Sequence, residues 1–164
     1  MSGAGKPGRR SIGLGERRSA ARLAAVQALY QMDLTGKGLD TIVREFERHW
    51  MGKEIEDDQY KPADGVLFRL IVQGVLDRQK RIDPAVDDLL AAGWPLKRVE
   101  AVMRAILRAG AWELMQTPET PVKVVISEYV DIARAFFDRE ETAMVNAVLD
   151  RLARAARGGE LPDR

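Results

Sequence analysis

The chain predicts an all-α domain of about seven helices. Three observations lead there. Apolar residues recur at helical spacing along each long segment, glycine and proline sit where such helices would start and stop, and the one stretch rich in β-branched residues keeps the helical period over four turns. At 164 residues the chain is the size of one domain with tails, large enough to bury a core without cross-links. No repeat of fixed period runs through it.

Residues 1 to 16 carry five of the 14 glycines and a proline, with too little apolar content to offset the entropy of ordering, so a flexible basic arm is expected there. One folded domain is expected over residues 17 to 157, and a disordered tail over 158 to 164. The first helix begins at Ser19, with Leu23, Val26, Tyr30 and Leu34 as its apolar stripe. Arg18 and Arg22 stand one turn apart on its flank, Gln27 and Gln31 lie on the far side, and Gly36 and Gly38 end it. In LDTIVREFERHWMG, Leu39, Ile42, Val43, Phe46 and Trp50 mark a second helix, with Asp40 as N-cap and Gly52 as stop, before the polar loop KEIEDDQYK. Pro62 opens a third helix whose buried face is Leu67, Ile71 and Val75.

IDPAVDDLLAAGWP reads as a short fourth helix, with Asp83 as N-cap, Pro84 in the first turn, Gly93 after the end and Pro95 beyond. The fifth, LKRVEAVMRAILRAGAWELM, lines Val99, Val102, Met103, Ile106 and Gly110 along one face, pairs Glu100 with Arg104, and is expected at the centre of the fold. PETPVKVVISEYVDIARAFF has strand propensity in Val122, Val124, Val125 and Ile126. Yet Val122, Val125, Ile126, Tyr129, Ala133 and Phe136 keep the helical period, and length favours a sixth helix. The seventh, ETAMVNAVLDRLARAAR, gathers Met144, Val145, Val148, Leu149 and Leu152 on one side and ends at Gly158 and Gly159.

The 26 Lys and Arg nearly balance the 25 Asp and Glu, so the net charge of +1 gives no general affinity for polyanions. The distribution does. Lys6, Arg9, Arg10, Arg17, Arg18 and Arg22 face only Glu16 at the basic end, whereas Glu54, Glu56, Asp57, Asp58 and Asp64 outnumber Lys53 and Lys61 in the acidic loop. A dense positive charge beside a helix N-terminus, itself positive, does nothing for the helix, so it serves either a ligand or a solvated face.

The absence of cysteine rules out a disulfide framework and a thiolate metal site. The single histidine, His49, rules out a Ser-His-Asp triad and a two-histidine metal site, and is expected to be a surface or half-buried structural residue. The acidic run Glu54 to Asp58 lacks the alternating ligands of an EF-hand, and the N-terminal glycines do not join a strand to a helix as a phosphate loop does. With no signal-like or membrane-spanning apolar stretch, the expectation is a cytoplasmic, non-enzymatic protein without cofactor, metal or membrane partner.

Four collinear motifs carry a family resemblance. RRSAARLAAVQALYQMD resembles the opening helix of the NusB family of transcription antitermination factors, an arginine cluster followed by A-V-Q-A-L-Y. LRAGAWEL is similar to that family's L-R-x-A-x-Y-E-L, with Trp112 at the usual Tyr. PVKVVISEYVDIARAF and VNAVLDRLA resemble its V-x-K-V-A-I-N-E-A-V-E-L-A-K and F-V-N-G-V-L-D-K, and the likeness covers residues 17 to about 155.

The resemblance implies two roughly perpendicular helical bundles, helices one to three and four to seven. It also implies binding of boxA RNA in nascent ribosomal RNA transcripts, and a heterodimer with NusE, a small-subunit ribosomal protein, within an RNA polymerase antitermination complex. A homodimer is the alternative state when that partner is absent. Carried over by position, Arg17, Arg18, Arg22 and Gln27 would bind RNA, and Tyr30 would face the partner. Tyr30, Trp112 and Tyr129 also read as core aromatics, and Asn146 and Asp150 as helix-packing residues. The chain departs from the family pattern at Ala143 and Met144, where Lys-Phe is usual, at Ser127 for Asn, and at Ala147 for Gly. Arg134, Arg139 and Arg151 offer substitute charge nearby.

The rival reading is a NusB-like protein-interaction or RNA-targeting module without antitermination activity, as at the N-terminus of RNA cytosine methyltransferases. Here the length and the lack of catalytic cysteines argue against a methyltransferase.

Overall fold

All regular structure among the described residues is helical, as the periodicity predicts. The computed structural model describes residues 14–56, 64–90 and 99–160. Six α-helices follow one another: α1 (Leu14–Thr35), α2 (Leu39–Glu56), α3 (Gly65–Asp87), α4 (Ala101–Gln116), α5 (Val122–Phe136) and α6 (Arg139–Arg157), with a 3₁₀ turn at Gly158–Glu160. None of the described helices is long and apolar enough to cross a membrane.

Among the described residues the count is six, not seven, because the start of the expected fourth helix is the end of α3. Pro84 lies inside that helix, and Asp83 is not its cap. Both Asp83 carboxylate oxygens instead accept from Arg108 on α4, at 2.8 and 2.9 Å, while the Asp88 amide bonds to the Pro84 carbonyl and carries the helix through. A proline costs an interior helix about 3 kcal/mol, and the buried flanking residues Ile82 and Val86 offset it here. Gly93 and Pro95, the expected end of that helix, lie outside the described residues, as does Pro62.

Other boundaries moved for equally local reasons. The expected arm lies outside the described residues up to residue 13, and α1 starts at Leu14 rather than Ser19. Asp40 sits in the first turn of α2 rather than capping it, and the helix runs through Gly52 to Glu56. A glycine costs a helix only about 1 kcal/mol and stops it only where the chain turns left-handed. Gly36 does turn so, at φ +73°, and its amide closes α1 on the Met32 carbonyl. The N-cap of α3 is Asp64, whose carboxylate accepts from the Val66 and Leu67 amides, and that of α6 is Asp138.

Helices α1, α2 and α3 form one group and α4, α5 and α6 the other, with α4 packed against α1, α3, α5 and α6. The central place expected for α4 explains why burial runs almost round it, from Met103 to Leu114. The stripe read for α1 is displaced. Leu23 is 37% exposed and Leu34 60%, while Ala21, Ala24, Ala25, Val26, Ala28 and Leu29 are buried. Small side chains let α3 and α4 approach α1 closely, and burial follows those neighbours rather than hydrophobicity alone. The β-branched run in α5 is helical, with Val122, Val125, Tyr129 and Ala133 inside. Arg157 of α6 donates to the carbonyls of Glu113, Leu114, Thr117 and Thr120, placing a cation at the negative end of α4.

The two groups meet most tightly where α3 crosses α4. A Cβ built on Gly74 would stand 2.1 Å from the Trp112 indole, so the indole occupies the space a side chain would need. Gly74→Ala is therefore expected to destabilise the protein by about 1–3 kcal/mol through overpacking, and by less in a Trp112→Leu background. Denaturant unfolding of the four variants in the cycle checks it.

Candidate nucleic-acid interface

The basic end of α1 is where the sequence places its candidate ligand site. Arg17 and Arg18 are half-buried, and neither makes an ion pair among the described residues. The Arg17 carbonyl accepts the Asp64 amide at 3.0 Å, which ties the start of α3 to the first turns of α1. Two guanidinium groups thus stand beside the unsatisfied amides at the positive end of a 22-residue helix, with Glu16 the acid of that first turn. Such an arrangement suits an anion.

Arg22 corrects the expectation. It is 2% exposed, and its guanidinium is turned inward. Nε and Nη2 donate to the two carboxylate oxygens of Glu113 on α4, at 2.8 and 3.0 Å, and Nη1 donates to Glu128 on α5 at 3.1 Å. Glu113, itself fully buried, also accepts from the Tyr129 hydroxyl at 2.5 Å, and Glu128 accepts from Ser19 at 2.5 Å. Burial works to lower the Arg22 pKa, but the hydrogen bond and charge of Glu113, with Tyr129 and Glu128, raise it overall. The guanidinium stays charged. Burial, then the Glu113 charge and hydrogen bond, hold the Tyr129 hydroxyl well above its ordinary pKa and so protonated. Arg22 joins three helices and presents nothing to a phosphate.

The remaining candidates are spread out. Gln27 is exposed, about 15 Å along α1 from Arg17 at 1.5 Å per residue. Tyr30 is half-buried and packs on the core with its edge at the surface. Trp112 and Tyr129 are core residues, as their helical spacing suggested. Arg134 pairs with Asp131 at 2.6 Å, while Arg139 and Arg151 are exposed twelve residues apart on α6, about 18 Å, and form no single patch. Ala143, Ser127 and Ala147 are exposed, and Met144 packs partly against the core. Asn146 is exposed rather than packed, whereas Asp150 holds Arg154 at 3.1 Å. His49 is exposed.

Sequence reasoning missed the buried acids. A signal for Glu113 was present: a lone carboxylate inside the otherwise apolar AGAWELM must find a buried partner.

Removing one partner of such a pair leaves a buried charge uncompensated. Arg22→Met is expected to destabilise the fold by about 3–5 kcal/mol. Arg17→Glu with Arg18→Glu should stay within about 0.5 kcal/mol per site, since neither cation has a described partner to lose. Thermal and denaturant unfolding compare the two.

Comparison with known proteins bears on this surface. The model of the NusB family matches residues 19–154. The transcription antitermination protein NusB of Bradyrhizobium diazoefficiens is 60% identical over 144 residues, covering 88% of this chain and 87% of its own length. That of Rhodopseudomonas palustris strain BisB18 is 54% identical over 155 residues, covering 94% and 92%. Among solved structures, NusB from T. maritima superposes with a TM-score of 0.71 at 26% identity, covering 92% of this chain and 98% of that one. A crystal structure of antitermination factors NusB and NusE in complex with dsRNA matches at 0.62 and 23% identity, covering 84% and 96%, and shares the fold.

Proposed function

The chain belongs to the NusB family, and from that membership we propose that it is a transcription antitermination factor that binds boxA-type RNA in nascent ribosomal RNA transcripts together with NusE. Relatives that bear the antitermination name at 54–60% identity over nearly the whole folded chain support the reading. So does the solved assembly of a NusB with NusE and RNA on the same fold. The protein acts by binding, within an RNA polymerase complex at the transcript, which puts its work in the cytoplasm.

One observation carries the RNA half of this reading: Arg17 and Arg18 stand without described partners at the positive end of α1, and the buried Arg22 network holds that end in place. Arg17 and Arg18 contact phosphates, Gln27 contacts RNA further along the helix, and Tyr30 meets the protein partner with its exposed edge. Arg22 is a positioning residue.

Charge reversal at Arg17 and Arg18 together is expected to abolish measurable RNA binding at physiological salt while the fold survives. Wild-type affinity in that variant would overturn the assignment. Two phosphate contacts on a single strand give a log–log salt slope of only about −1.4 for the isolated chain. NusE adds contacts of its own, so the heterodimer should bind boxA RNA several-fold more tightly and with a steeper slope, and RNA should strengthen NusE binding by the same factor. Titrations of labelled RNA at two salt concentrations, with and without NusE, measure both effects; equal affinity and slope in the two series would contradict the coupling.

A further inference from the structure

Arg17 and Arg18 have no ion pair among the described residues to hold them, so their placing depends on the turn that carries them. Two ties reach that turn. The Arg17 carbonyl accepts the Asp64 amide at 3.0 Å, which joins it to α3. The Ser19 hydroxyl donates to Glu128 Oε1 on α5 at 2.5 Å, and Arg22, nearly one turn further on, donates to the same oxygen at 3.1 Å. Helix α1 packs along α3 and α4 and meets α5 over a short stretch, so Glu128 supplies the polar tie between the first turns of α1 and α5.

The Ser19 bond differs from those of Arg22 in being able to let go. Arg22 is 2% exposed and Glu113 is fully buried, so breaking that pair leaves a charge uncompensated inside the fold. Ser19 is half-buried, and its hydroxyl also lies 3.0 Å from a second acceptor, the Gly15 carbonyl one turn back. One proton serves one acceptor at a time. A carboxylate outcompetes a carbonyl that the helix ladder already uses, so Glu128 holds the hydroxyl. When that bond opens, the hydroxyl turns back to Gly15 and no polar group is stranded. Glu128 keeps Arg22, and its side chain, 23% exposed, still reaches water. The start of α1 can therefore take two arrangements, one tied to α5 and one free of it, each with its polar groups paired.

We propose that the Ser19–Glu128 bond is a latch for the RNA site: closed, it fixes the turn that carries Arg17 and Arg18 against α5, so the two guanidinium groups are ordered before a phosphate arrives. Ser19 and Glu128 are positioning residues and touch no RNA. The latch rests on the RNA-binding reading above and adds to it what sets the affinity of that site. Ordering two long side chains and their turn costs entropy, and a closed latch removes part of that cost from binding.

The test joins amide hydrogen exchange on the free chain with equilibrium binding of boxA RNA, in wild type, Ser19→Ala, Ser19→Thr and Glu128→Ala. In Ser19→Ala the amides of residues 18 to 21 should exchange several-fold faster before any RNA is added. RNA should bind about three- to tenfold more weakly. The Tm should fall by no more than about 4 °C, because Arg22 keeps both its bonds to Glu113. Ser19→Thr, which retains the hydroxyl, should restore exchange and affinity together. In a Glu128→Ala background, where the acceptor is gone, adding Ser19→Ala should change exchange no further.

Weakened RNA binding with wild-type exchange in Ser19→Ala would make Ser19 an RNA contact and overturn the latch. So would a fall in Tm large enough to account for the lost binding, or additive exchange in the double variant. The Arg17, Arg18 charge reversal separates the levels. If it binds RNA as wild type, the RNA reading of α1 fails and the latch with it; if it loses RNA while Ser19→Ala binds as wild type, only the latch fails.

Discussion

The bidentate pair between Arg22 and Glu113 is the constraint on which the arrangement of this protein depends. Both groups are out of water, so neither tolerates the loss of the other, and the geometry that satisfies them fixes α1 against α4. Glu128 and Tyr129 extend the tie to α5, and Ser19 brings the first turns of α1 into it. A buried ion pair adds little net stability over an apolar pair of the same shape, but it penalises every misplacement of its partners. The surface cations Arg17 and Arg18, only four to five residues before Arg22, inherit their position from that buried pair.

Close packing supplies what the polar network does not. The alanines of α1 bring α3 and α4 near it, Gly74 admits the Trp112 indole, and Gly110 lies 3.0 Å from Leu149 by the place its Cβ would take. Helix α4 takes part in the contacts with α1, α3 and α6. Arg157, reaching back from the last helix to four carbonyls around the end of α4, closes the arrangement with a charge of the sign that the helix end favours. The last turn of the core helix is thus held twice, by Arg22 of the first helix on the Glu113 carboxylate and by Arg157 of the last on the carbonyls of Glu113 and Leu114.

One consequence is a division of labour among arginines that look alike along the chain. Arg22, Arg108 and Arg157 are spent on internal acids and carbonyls. Arg17 and Arg18 keep no ion-pair partner among the described residues, and Arg134 is held at the surface by Asp131.

Helical periodicity, glycine and proline punctuation and the motif order were legible in the residues themselves, because each depends on spacing within one segment. The helical state of the Val122 run and the central place of α4 follow from that spacing. Where the chain misled, the deciding partner was distant in sequence. Asp83 looked like a cap and is claimed by Arg108, Leu23 and Leu34 looked like core and are exposed, and Arg22 looked like a ligand residue and is buried on Glu113. Residue type and spacing determine which elements form and which charges exist. Only the packing of residues 91 and 106 positions apart decides which of those charges meet an acid inside the fold and which stay without one, because desolvation and pairing are properties of the assembled neighbourhood and not of the segment.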